Sequence, residues 1–199
     1  MHKRQFISLL GALPAWALAG SAAAPSSNYK VGDKLTPAAP VLVNGIRQLK
    51  WDDLIPKNWD PYAAYRGLDL AKMRDGDPRT REAMDKVREA WNNAPVVDDL
   101  NGNTVRIPGF MIPMDTNKDE VLAFLLVPYF GACIHTPPPP ANQIIDVKAK
   151  PAVRGSRMMD TVWVTGKLST VRSDSPFGTV GYRIAAQHVE PYVKEAERK

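Results

Sequence analysis

The spacing of hydrophobic positions changes once, near Pro95, and the change divides the chain into a helical part and a strand part. Before it, Ala83, Val87, Ala90, Trp91 and Ala94 recur at helical spacing, while arginines and acids fill the other face. This predicts a helix over 78–93 with a solvated charged side. Asp77 can cap it and Pro78 suits its first position. Asn92-Asn93-Ala94-Pro95 stops it, because the residue before proline resists helical backbone. A shorter helix is expected within 62–76. After Pro95 the period falls to two. Asn101-Gly102-Asn103 signals a hairpin turn between Val96-Val97 and a strand from Thr104 to Met114. Pro108, Gly109 and Pro113 should bend that strand or place part of it at an edge. Val121 to Val127 is nearly all apolar and reads as a central strand. Further strands are expected over 143–147, 161–171 and 180–186. The clearest is Thr161 to Val171, where Val162, Val164, Gly166 and Leu168 alternate with Trp163, Thr165, Lys167 and Ser169.

Five strands with short connections, bent at glycine and proline, suit a small closed barrel. The expected class is α+β, mainly β: an antiparallel five-stranded barrel preceded by a helical segment. Val162-Trp163-Val164-Thr165-Gly166-Lys167-Leu168 looks like a strand of an oligonucleotide- and oligosaccharide-binding barrel. That likeness concerns the fold and carries no activity with it. The barrel is expected over 96–192, a helical extension over 46–95, and a charged tail over 193–199. Residues 25–45 are rich in proline, alanine and serine, and are expected to be a tether with a short strand at 41–43. In the extension, Trp51, Leu54, Ile55 and Trp59 would be costly to expose. They read either as a clasp packed on the domain or as a docking patch for another protein.

The first 24 residues read as an address. Lys3 and Arg4 are followed by an apolar run from Phe6 to Ala19, then by Gly20-Ser21-Ala22-Ala23-Ala24. This is the layout of a cleaved signal peptide, with the cut after Ala24. The run is short and holds Pro14, so a retained membrane span is not expected. Lys3-Arg4-Gln5-Phe6-Ile7 also looks like a twin-arginine signal, so both the general secretory and the twin-arginine routes stay open. A soluble periplasmic protein is expected. The net charge is +5 and drops to +3 without Lys3 and Arg4. So mild a balance does not call for nucleic acid or an anionic membrane as partner.

Candidate chemistry is concentrated in one stretch. Residues 128–143 hold the only cysteine, Cys133, then His135, then Pro137 to Pro140, then Asn142 and Gln143. On an extended segment Cys133 and His135 would face the same side. A thiolate and an imidazole suit zinc or another soft metal, which needs further donors. His188 is the candidate third ligand, with Asp146 or another chain as alternatives. The prolines would stiffen the segment and fix Asn142 and Gln143, which could orient a ligand or satisfy buried backbone. The opposing reading makes Cys133 a small hydrophobe in the core. A thiolate–imidazolium nucleophile is a third reading, without a recognisable nucleophile turn or oxyanion donors.

Gly109-Phe110-Met111-Ile112-Pro113 and the run from Phe124 through Cys133, His135 and the prolines to Gln143 resemble an uncharacterised family of secreted bacterial proteins. That family is described only as a domain of unknown function. Trp51, Pro56, Val162–Leu168 and Gly181-Tyr182-Arg183 extend the resemblance over about residues 45–192. Members are often encoded beside an ABC transporter, some in clusters that respond to zinc limitation. The resemblance implies a periplasmic accessory protein of such a transporter, with a role in metal homeostasis. It supplies no catalytic residues, only Cys133, His135, Asn142 and Gln143 as candidates. The alternative is a metal-free binding or scaffold module for a protein, glycan or lipid partner, contacted through Trp51, Trp59 or the barrel groove.

Overall fold

The computed structural model describes residues 29–35, 42–43, 45–69, 72–74, 76–134 and 138–192. Five strands close a barrel: β3 (Thr104–Asn117), β4 (Glu120–Val127), β5 (Ile145–Arg154), β6 (Thr161–Ser175) and β7 (Gly178–Pro191). Their order is β3-β4-β5-β7-β6, and β6 returns to pair with β3. Two small strands, β1 (Leu42–Val43) and β2 (Ile46–Gln48), add to the start of β3. The single α-helix among the described residues is α1 (Pro78–Asn92). The expected mainly-β, five-stranded barrel is therefore present, with one difference. The seam between β5 and β7 is parallel, Ile145 facing Tyr182 and Ala149 facing Ala186, so the barrel is mixed. Period-two patterning does not distinguish the two directions, and β6 supplies the crossover that lets β7 run beside β5.

The long strand β3 explains its own proline and glycine. Thr104 to Phe110 pair with β6, and Phe110 to Asn117 pair with β4. The two pairings overlap at Phe110, and Pro108-Gly109 just before it stay in the ladder with β6, so the strand runs on instead of stopping. Gly109 lets the Leu126 side chain pack close against β3, since a Cβ there would sit 2.6 Å from Leu126 Cγ. β2 fills the flank of β3 that β4 has not yet reached, and the Leu49 amide continues it by donating to the Arg106 carbonyl at 2.8 Å.

Strand β4 is apolar on both faces because from Ala123 onward both are covered. Phe124 and Leu126 point into the barrel with Met111, Ile145, Val147, Val164, Leu168 and Ile184. Leu125 and Val127 point outward with Phe110 and Ile112, and the segment after β4 folds back over them. Burying each such side chain contributes roughly 1.5–3 kcal/mol. Part of the expected tether joins this outer layer. Leu35 is buried, Lys34 bridges to Tyr129, and the Tyr29 ring meets Phe110 edge-on at 5.1 Å. Residues 1–28, with the leader-like segment, and the tail 193–199 lie outside the described residues.

Two local expectations are corrected. Asn101-Gly102 does make a turn, with Gly102 at φ +83°, but Val96-Val97 forms no strand. A 3-10 turn, Asp98–Leu100, intervenes, and the turn docks on β6 through Gly102 N–H to the Leu168 carbonyl at 2.8 Å. Within 62–76 the described residues hold no α-helix. The 3-10 turn Ala63–Tyr65 ends there, and Gly67 follows at φ +82°. Helix α1 matches its prediction closely, and the Asp77 carboxylate accepts from the Arg79 amide at 2.8 Å.

Candidate functional site

The cysteine–proline stretch does not run extended where the metal reading needs it to. Residues 130–134 are turns, with Gly131 at φ +83° and Cys133 itself at φ +64°. Side chains two apart share a face only on extended backbone, so that basis for joining Cys133 to His135 is lost. His135, Thr136 and Pro137 lie outside the described residues. Cys133 is half-buried and packs against the outer cluster of Phe110, Ile112, Leu125, Val127 and Ala132. Burial among these groups pushes its thiol up to about 12. His188 belongs to another surface. It stands exposed on β7, opposite Thr165, 3.5 Å from the Glu190 carboxylate. Asp146 is engaged by Arg183 at 2.8 Å and Lys148 at 3.1 Å. No group of three or more potential metal-binding side chains occurs among the described residues.

A thiol this desolvated should react slowly, because the thiolate is the attacking species. Native protein is expected to be alkylated by iodoacetamide at pH 8 about a hundredfold more slowly than protein in denaturant. The native rate should keep climbing past pH 10 without a plateau. A plateau below pH 9 would instead reveal an activated thiolate. The ordinary thiol value is 9.0, so the unfolded chain ionises first as pH rises. Cys133 therefore leaves stability unchanged below pH 9 and lowers it from there towards 12.

The rest of the stretch ties the molecule together. Pro139 and Pro140 are buried, and Pro140 has polyproline II backbone at φ −54°, ψ 151°. The 3-10 turn Ala141–Gln143 follows, wholly buried. Asn142 Nδ2 donates to the Pro95 carbonyl at 2.8 Å, and Gln143 Nε2 donates to the Trp51 carbonyl at 3.0 Å. The two amides thus satisfy buried backbone of the N-terminal extension. Trp51 is buried and donates from Nε1 to the Pro108 carbonyl at 2.7 Å. It is part of a clasp over one end of the barrel. Trp59 is half-buried.

Pro138 has a further place. It presses on the tip of the β6–β7 hairpin, where a Cβ on Gly178 would lie 2.9 Å from its own Cβ. On the other side of that tip stands α1, and between them lies a cavity of about 360 Å³. Met84, Val87 and Trp91, one stripe of α1, form a wall with Tyr65 and Pro138. Arg88, Asn92, Asp174, Ser175 and Thr179 supply the polar lining. The helix is pinned at its C-terminal end: Arg172 donates to the Asn92 carbonyl and to Asn93 Oδ1, at 2.8 and 2.7 Å, and Trp91 Nε1 donates to the Pro61 carbonyl at 2.8 Å. Tyr65 and Trp91 meet edge-on at 5.7 Å. Burial, and then the neighbouring Tyr62, hold the Tyr65 phenol above its ordinary range.

Sequence reasoning placed Val87 and Trp91 on the apolar side of the helix but left out Met84, and it assigned no site there. The signal was available: residues 84, 87, 88, 91 and 92 share one helical face. Ser173 to Ser175 lie beyond the strand expected over 161–171, yet they pair with Val180, Thr179 and Gly178 and carry the hairpin on to meet the helix.

The described residues thus form a closed, mixed five-stranded barrel, clasped by an N-terminal extension and bearing an apolar-walled cavity beside its helix. A family model described as protein of unknown function (DUF3299) matches residues 51–191, and the chain belongs to the DUF3299 family. It is similar to a crystal structure of a DUF3299 family protein from Pseudomonas aeruginosa PAO1. The two are 34% identical, the match covers 75% of this chain and 98% of that one, and the TM-score is 0.59. No curated protein matches the chain.

Proposed function

We propose that this protein is an exported accessory protein of the cell envelope that binds a small, largely apolar ligand between α1 and the β6–β7 tip. The observation that carries the reading is the cavity itself. At about 360 Å³ it falls within the range of small-molecule sites, and apolar side chains with a few polar groups line it, as such sites require. Export is supported by the leader-like segment over residues 1–24. Work beside an ABC transporter is supported by the resemblance drawn from the sequence, and a carrier or sensor that presents a ligand to such a transporter fits a cavity of this kind. Of the two readings raised by the sequence, the geometry favours the metal-free binding module. The zinc reading has lost the extended backbone on which it was built.

Titration with the neutral, environment-sensitive dye N-phenyl-1-naphthylamine tests the reading. Saturable one-to-one binding is expected in the folded protein. Met84→Trp fills the cavity and should weaken binding about tenfold or more, a loss of about 1.4 kcal/mol. Leu122→Ser, at an exposed position near the start of β4, should leave it unchanged. Absence of saturable binding, or equal affinity in Met84→Trp, overturns the proposal.

A further inference from the structure

Resting on that reading, we propose that the ligand carries a cationic group: an amphiphilic amine whose apolar body lies along Met84 and Val87 and whose ammonium meets Asp174. The argument is one of unspent charge. Of the two charged side chains that line the cavity, Arg88 is already engaged, donating to Asp85 at 2.8 Å. The neighbouring Arg172 does not line the cavity and is anchored to the uncharged acceptors Asn92 and Asn93. Asp174 has no cationic partner among the described residues. Its Oδ1 accepts from the Thr179 hydroxyl at 2.9 Å, and Thr179 is itself buried and faces Asp174 across the hairpin. One oxygen is therefore held in place and the other remains available. A carboxylate oriented in this way forms a charge-assisted hydrogen bond with an ammonium group.

The aromatic walls favour the same charge. The Trp91 indole N–H is used on the Pro61 carbonyl, so its ring lines the cavity without offering a donor there. Trp and Tyr rings attract a cation through their faces, and an alkylammonium body buries well against them. An anionic head would meet the Asp174 carboxylate and an arginine already paired with Asp85. A neutral head would leave Asp174 as it is.

Displacement of N-phenyl-1-naphthylamine by octylammonium, octanol and octanoate tests the inference, because the three share one chain and differ in head charge. Octylammonium is expected to displace the dye at about tenfold lower concentration than octanol, with octanoate weaker than both. Asp174→Asn keeps an acceptor for Thr179 and should bring octylammonium to the level of octanol while octanol itself is unchanged. Equal displacement by the three compounds, or a cation preference that survives Asp174→Asn, overturns the charge assignment and leaves the binding module standing. A dye that does not bind the unaltered protein removes both.

Discussion

Gly166→Ala is expected to cost about 3 kcal/mol or more, the largest effect of any single methyl added to this barrel. Gly166 lies in the middle of β6, paired with Val105 on β3 and with Ala186 on β7 beside a bulge. A Cβ built there would fall 2.2 Å from the Ala185 carbonyl oxygen, 2.8 Å from Ala186 Cα and 2.9 Å from the Ala185 carbonyl carbon. All three atoms are backbone, so no side chain can rotate out of the way. Either β7 moves off β6 or the ladder breaks, and the first choice opens the parallel seam with β5 as well. For a chain of this size the loss corresponds to a fall in melting temperature of roughly 6–12 °C. Gly109→Ala is the natural comparison, since its nearest contacts, at 2.6 and 2.9 Å, are atoms of the Leu126 side chain. It should cost clearly less. Thermal unfolding followed by circular dichroism measures both. A Gly166→Ala protein that melts within 2 °C of the parent would show that the strands separate there at little cost.

The strand that carries Gly166 was legible before any coordinates, and so was most of the barrel. Val162, Val164 and Leu168 alternate cleanly because one face of β6 is core and the other is partly exposed. The apolar run of β4 announced a strand covered on both sides, and the outer cover proved to be the cysteine–proline segment. Helix α1 was legible from its cap, its proline and its stripe. What could not be read was pairing. A strand's period reveals which face is buried but not its neighbour's direction, so the parallel β5–β7 seam was invisible. Nor does period reveal when a turn docks sideways. Asn101-Gly102 has hairpin chemistry, but the Val97 amide and the Pro95 carbonyl are taken by Tyr182 and Asn142, which hold that strand candidate away from any ladder.

The site was less legible for a related reason. Cys133 and His135 drew attention because their residue types carry chemistry, and their spacing was informative only on extended backbone. The left-handed conformation of Cys133 was not anticipated, since such a φ is uncommon outside glycine and asparagine. The proline run was expected to stiffen the segment, and Pro140 has polyproline II backbone, but what the run packs against was not visible. Pro138 closes a wall of the cavity together with a helix 46 to 54 positions upstream and a hairpin tip about 40 positions downstream. Cavities are made by segments distant in sequence, and each segment here carries an ordinary explanation when read alone. Asn142 and Gln143 show the same limit from the other side. Buried amides following prolines could serve ligand or backbone equally well, and only the positions of Pro95 and Trp51 distinguish the two.

Tyr182→Phe should destabilise the fold by about 2–4 kcal/mol through one missing oxygen. The side chain is fully buried in the barrel. Its hydroxyl accepts from the Val97 amide at 2.6 Å and donates to the Leu54 carbonyl at 2.9 Å. It thereby joins the clasp after Trp51 to the segment before β3, at the end of the barrel where Gly181 lets the Ala141 carbonyl approach closely. Phenylalanine fills the ring's space but leaves a donor and an acceptor without a partner, and each such loss costs about 1–3 kcal/mol where water is excluded. Burial pushes the phenol up to about 12, from an ordinary 10.0, against the lowering effect of the Val97 amide. The native hydroxyl therefore stays protonated while the unfolded one ionises, so this group's contribution is complete below pH 10 and is lost as pH rises towards 12. Two measurements separate this account from general loosening. Urea unfolding at pH 7 should show the lower midpoint with an unchanged slope. Native-state hydrogen exchange should show the Val97 amide losing more protection than amides in the middle of β6. If Val97 exchanges no faster in Tyr182→Phe than in the parent, the hydroxyl is not what holds the two segments together.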